Sequence, residues 1–72
     1  MAGQYPVLKP EEIISVLRKF GFSYKSQKGS HVKYSNGARN AIIPMHYEVA
    51  KGTFASILEQ AGITLDEFLS KR

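Results

Sequence analysis

Asn36-Gly37 constrains the folding of this chain more than any other pair of residues. It lies between two alternating stretches, His31-Val32-Lys33-Tyr34-Ser35 and Arg39-Asn40-Ala41-Ile42-Ile43. Asn-Gly between such stretches is the strongest short-range hairpin signal, because a type I′ turn needs positive φ at both central residues. A two-residue loop sets Ser35 opposite Ala38, Tyr34 opposite Arg39, Lys33 opposite Asn40, Val32 opposite Ala41 and His31 opposite Ile42. Opposed residues share a face of the sheet. Val32, Tyr34, Ala41 and Ile43 therefore form one face, assigned to the core. His31, Lys33, Asn40 and Ile42 form the other, assigned to solvent. A slip of one residue would exchange the two faces.

The flanking segments complete an α+β pattern. Residues 1–8 read as a tail without period. Pro10 followed by Glu11 and Glu12 is a typical first helical turn, since proline loses no bond there and the acids complement the helix dipole. Ile13, Val16, Leu17 and Phe20 then make one apolar stripe, which predicts a helix over about 10–20 ending at Gly21. Residues 22–27 alternate like a half-buried strand, and Lys28-Gly29-Ser30 turns the chain into a second strand. The third strand is expected over 39–43, stopped by Pro44, and 45–50 as a loop. Thr53 is expected to cap a second helix with Phe54, Ile57, Leu58 and Ala61 on one face and Gly62 at its end. Thr64 and Glu67 form a capping box, with Ile63 and Phe68 at staple positions, for a short helix over about 65–70. Helices on one face of a three-stranded antiparallel meander make an α+β sandwich.

Seventy-two residues suffice for one domain, 1–72, with one small core and one working surface. No cofactor-binding domain fits, and no cofactor is expected. Cysteine is absent, which removes disulfides and thiolate metal sites. The start, Met1 to Pro6, lacks the basic and apolar regions of a signal peptide. No apolar run approaches the roughly 20 residues of a membrane span, so no membrane association is expected. Charge is uneven: from Arg18 to Lys51, seven cations stand against Glu48 alone, a balance of +6 within a chain of net +4. Such a segment attracts phosphates or an acidic protein, or keeps a solvated face soluble.

Within this segment, Gly29-Ser30-His31 concentrates the chemistry. Imidazole is the side chain whose ordinary titration lies nearest neutrality. His31, on the solvent face among Lys25, Lys28 and Lys33, suits proton transfer on a polyanion such as RNA. The plain alternative is a histidine that closes the turn by bonding a backbone carbonyl. Lys28 and Lys33 are candidates to hold a scissile phosphate, or serve solubility alone. Ser30 is a candidate phosphate donor, or satisfies turn backbone. Gly29, Asn36 and Gly37 are structural turn residues. Tyr24 and Tyr34 have the parity of core residues and are expected to pack. His46, in Pro44-Met45-His46, shares the parity of Ile42 and can approach the rim on the side of His31. It is a candidate second proton carrier, with a loop histidine bonded locally as the alternative. Two imidazoles divide the work of RNA cleavage when one deprotonates the 2′-hydroxyl and the other protonates the 5′-oxygen that leaves. A metal site is not expected, since only Glu48 could join the two histidines.

Taken together, Lys19-Phe20-Gly21-Phe22, Gln27-Lys28-Gly29-Ser30-His31, Ile43-Pro44-Met45-His46, the run from Lys51-Gly52-Thr53 through Ile57-Leu58-Glu59-Gln60-Ala61-Gly62-Ile63-Thr64, and Glu67-Phe68-Leu69 resemble the HicA (YcfA-like) family of bacterial toxins over about residues 9–70. The resemblance implies a double-stranded-RNA-binding-domain-like α-β-β-β-α fold. It implies an mRNA interferase with His31 as catalytic residue, in a bacterial or archaeal cytoplasm. It also implies a HicB-like antitoxin partner that covers the histidine. Many members carry a second histidine directly after the first, where this chain has Val32. The chain also lacks the lysine cluster that double-stranded-RNA binders place at the start of helix 2, where only Lys51 stands. The expected function is a metal-independent toxin endoribonuclease. The alternatives are a non-catalytic RNA-binding module of the same fold and a pure protein-interaction domain.

Overall fold

Pro10 at the first helical position starts α1 (Pro10–Lys19) in the computed structural model, which describes residues 5–72. The backbone N–H of Lys9 donates to Glu12 Oε1 at 2.8 Å, so an acid of the first turn satisfies the chain that enters it. Ile13, Val16 and Leu17 are buried and Phe20 closes the helix, as the apolar stripe requires. Of the tail expected over 1–8, residues 1–4 lie outside the described residues. Tyr5 and Leu8 pack despite the lack of period, while Val7 is exposed. Leu8 is buried and bridges Val49, whose N–H donates to the Leu8 carbonyl at 2.8 Å. The ring of Tyr5 meets Phe54 edge-on, with centroids 5.9 Å apart.

Three strands follow, β1 (Ser23–Lys28), β2 (His31–Ser35) and β3 (Asn40–Pro44), in an antiparallel sheet of order β1-β2-β3. Val32, Tyr34, Ala41 and Ile43 are all buried, on the face assigned to the core. The register differs from the one expected. Ser35 pairs with Asn40, Tyr34 with Ala41, Lys33 with Ile42, Val32 with Ile43 and His31 with Pro44. The loop at Asn36-Gly37 is therefore four residues long, not two. Asn36 is not at positive φ, so the turn is not type I′; Gly37 alone takes that conformation, at φ 94°. The cause is local bonding. Asn36 Oδ1 accepts from the N–H groups of Ala38 and Arg39, at 2.9 and 2.7 Å, and the Asn36 N–H donates to the Arg39 carbonyl at 3.1 Å. An Asx-type turn thus replaces the tighter hairpin. The difference is two residues, one full pleat repeat, so every side chain keeps its face.

β1 corrects a second expectation. It is exposed along its whole length, not half-buried, because it forms the sheet edge farthest from the helices. The apolar residue expected to begin it, Phe22, lies before the strand and is buried. Tyr24 does not pack in the core. It is 54% exposed and touches buried Tyr34 edge-on at 6.1 Å. The register with β2 shifts between Tyr24 and Ser26, which marks a bulge.

α2 (Lys51–Ala61) begins two residues ahead of the expected Thr53 cap, with Ala50 as the capping residue. The Leu8–Val49 bridge fixes the chain just upstream, and the first helical bond runs from Phe54 N–H to the Ala50 carbonyl at 2.9 Å. Gly62 ends α2 as expected. α3 (Leu65–Ser70) carries the expected capping box. Thr64 Oγ1 accepts from the Glu67 N–H, and Glu67 Oε1 accepts from the Thr64 N–H. Phe68 then inserts beside Phe54, with ring centroids 4.9 Å apart. Ile13, Leu17, Ile43, Phe54, Ile57 and Phe68 are fully enclosed between the helices and one face of the sheet. This is the α+β architecture of the double-stranded-RNA-binding-domain type.

The C-terminal end closes onto α1. Arg72 Nη2 lies 3.3 Å from Glu12 Oε2, and Lys19 Nζ donates to the Lys71 carbonyl at 2.8 Å. The Lys9 N–H, assisted by Arg72, holds the Glu12 carboxyl below its ordinary value of 4.5. A carboxyl lowered on folding contributes stability that is complete above its unfolded pKa and is lost as pH falls through the folded value. Glu12→Gln should therefore be less stable than the parent at neutral pH, with the difference closing below about pH 4.5. Urea denaturation across a pH series checks this, and a difference independent of pH would contradict it.

Candidate nucleic-acid interface and histidine pair

Gly29 and Ser30 form a two-residue turn between Lys28 and His31, which face each other across β1 and β2. Gly29 has φ 60° and Ser30 has no positive φ, the glycine-first pattern of a type II′ turn. Gln27 Nε2 donates to the Gly29 carbonyl at 3.0 Å and braces the loop. His31 therefore stands at the first position of β2, beside Lys28 on one side and Pro44 on the other. It is exposed, on the face away from the helices. Val32, the position directly after His31, is buried in the core, so that position points away from this surface.

The ladder between β2 and β3 continues past its last named pair. The Met45 N–H donates to the Ser30 carbonyl at 2.6 Å. This bond carries the chain after Pro44 back across the turn and brings His46 to His31, with ring centroids 6.1 Å apart and planes at 73°. Both imidazoles are exposed. The segment that carries them is basic: residues 13–47 contain no Asp or Glu. Lys28 is exposed at the turn, while Lys33 is half-buried opposite Ile42. That arrangement lets the lysine stem lie on apolar surface while the ammonium reaches water. Asn36 and Gly37 sit at the other end of β2 and serve the hairpin turn, away from the histidines. Among the described residues no three His, Cys, Asp or Glu cluster as a metal site.

One feature of the surface escaped the sequence reading. Beyond His46, an open groove of about 520 Å³ is lined by Lys9, Glu11, Met45, His46 and Tyr47. Tyr47 is 79% exposed, and Lys9 Nζ sits 5.5 Å from its ring centroid. The available signal was an aromatic next to a candidate histidine in a segment with no apolar period to bury it.

An α+β sandwich with one face of its sheet uncovered, basic and bearing paired histidines belongs to the class of small double-stranded-RNA-binding-domain-like proteins. The family model described as HicA toxin of bacterial toxin-antitoxin matches residues 10–63, and the chain belongs to that family. It is a toxin of a toxin–antitoxin system, with a cognate antitoxin as partner. Comparison with curated proteins gave no match. No helix among the described residues is long and apolar enough to cross a membrane.

Proposed function

We propose that this toxin is an endoribonuclease, an mRNA interferase that cleaves RNA through its own 2′-hydroxyl without a metal ion. The observation that carries this reading is the exposed His31–His46 pair, with ring centroids 6.1 Å apart, in a segment, 13–47, that contains cations and no Asp or Glu. One imidazole removes the proton of the 2′-hydroxyl. The oxygen attacks the adjacent phosphorus, and the bond from phosphorus to the 5′-oxygen breaks. The second imidazole supplies the proton to that leaving oxygen, so the products are a 2′,3′-cyclic phosphate and a 5′-hydroxyl. Lys28 and Lys33, with Ser30 at the turn, hold the phosphate and offset the negative charge that grows on it. A HicB-like antitoxin that seats acidic or apolar groups on this face blocks RNA by occlusion.

Loss of a general acid–base group costs roughly 10²–10⁴-fold in rate. His31→Ala should lose cleavage of a labelled RNA by about that factor in the presence of chelator, with an unchanged melting temperature because the side chain is exposed. His46→Ala should fall in the same range. Full activity in a folded His31→Ala protein would remove His31 from the chemistry. RNA bound but never cut by the parent would leave a non-catalytic RNA-binding module.

Each phosphate contact to a single strand adds about 0.7 to the slope of log affinity against log salt. The Lys28→Ala, Lys33→Ala double variant should bind RNA more weakly, with a slope shallower by up to about 1.4. An unchanged slope would make both lysines solubilising groups. In the toxin–antitoxin complex, hydrogen exchange should slow at the amides of residues 28–33. Protection confined to the outer faces of α1 and α2 would exclude occlusion.

A further inference from the structure

We infer that the groove beside His46 is a nucleobase subsite, in which a base flanking the scissile phosphate stacks on Tyr47 and presents an amino group to Glu11. The inference rests on the ribonuclease reading above and names a part of the substrate that the histidine pair alone does not. His46 belongs to both places. It approaches His31 on one side and lines the groove with Lys9, Glu11, Met45 and Tyr47 on the other. A nucleotide joined to a phosphate held at the histidines adjoins this groove, because His46 itself lines it.

The chemistry of the lining selects a base over a second phosphate. Glu11 places a carboxylate in the groove, which repels a phosphate but accepts hydrogen bonds from an amino group or ring N–H. The Lys9 ammonium, 5.5 Å from the Tyr47 centroid, donates to a base carbonyl or ring nitrogen. Tyr47, at 79% exposure, contributes no packing to the core, and the ring face turned away from Lys9 is open to a stacked base. Adenine, cytosine and guanine each carry an exocyclic amine. Uracil offers a single pairing-edge N–H flanked on both sides by carbonyl oxygens, and these repel the Glu11 carboxylate as it approaches that N–H. The groove therefore favours an amino-bearing base over uracil at one position next to the cut.

Two measurements on the full chain test this. In a His31→Ala background, chosen to keep RNA intact, Tyr47→Ala should weaken binding of a short single-stranded RNA by roughly 5- to 160-fold, the range of one lost base stack. Tyr47→Phe in the same background should restore most of the affinity, and circular dichroism should be unchanged throughout. In the otherwise native toxin, mapping cuts along an RNA of mixed sequence should show depletion of uracil at one position flanking the cut. Glu11→Gln should relax that depletion and leave other positions as they were. Equal RNA affinity with and without the Tyr47 ring, or a base preference untouched by Glu11→Gln, overturns the subsite while leaving the ribonuclease reading in place. A toxin that neither binds nor cuts RNA at low salt overturns both.

Discussion

The whole structure depends on the burial of a single face of the sheet. The chain has enough apolar material for one core, and α1, α2 and α3 bring it to the side of Val32, Tyr34, Ala41 and Ile43. Enclosing a large apolar side chain contributes about 1.5–3 kcal/mol, so four strand residues and the helix residues that meet them hold this layer in place. A chain of this length has no second layer to cover the other face. That face must be soluble by itself, and it is built of lysine, serine, histidine and asparagine with half-buried Ile42 and Pro44. The open working surface is the consequence of having only one core.

The two ends of β2 do different things with the same device. At one end, Gly29 takes the positive φ of a tight two-residue turn and delivers His31 directly opposite Lys28. At the other, the Asn36 side chain bonds two backbone amides and lengthens the loop to four residues. The longer loop slides β3 along β2 by two residues, about 7 Å of strand. With the expected register, Ile42 would face His31 and His46 would lie beyond the turn. With the observed one, Pro44 faces His31 and the Met45–Ser30 bond draws His46 in beside it. A turn at the far end of the hairpin thus decides whether the two histidines meet.

The exposed edges of the sheet are treated differently as well. The Ile42 N–H, which points out from β3, donates to Gln60 Oε1 of α2 at 3.0 Å, so that edge is partly closed by a helix. β1 has no such cover. It carries Lys25 and Lys28, and its bulge after Tyr24 breaks the regular ladder, both of which oppose unwanted pairing with other chains. The cations that make this strand a candidate to face phosphate also oppose pairing along its edge. Net charge alone therefore does not separate the two roles of these lysines.

Elements set by short-range pattern were legible from the residues. The apolar stripe of α1, the Thr64–Glu67 capping box of α3 and the alternation of β2 and β3 each follow from neighbours within a few positions. Face parity survived the change of register because the slide was two residues and the side-chain period is two. The exposure of His31 followed from that parity. Tertiary contacts decided the rest. Leu8 pairs with Val49 only because the folded sheet and helices bring the two ends of that bridge together, and this moved the start of α2 to Lys51. Tyr24 and Tyr34 share a face by pattern, yet only Tyr34 is covered, since helix coverage stops short of β1. The closeness of His46 to His31, and the groove that Tyr47 shares with Lys9 and Glu11, join residues from separate elements. Period and propensity report what a residue's immediate neighbours allow. Distances between elements are set by loop length and by what packs between them, and those exist only in the folded chain.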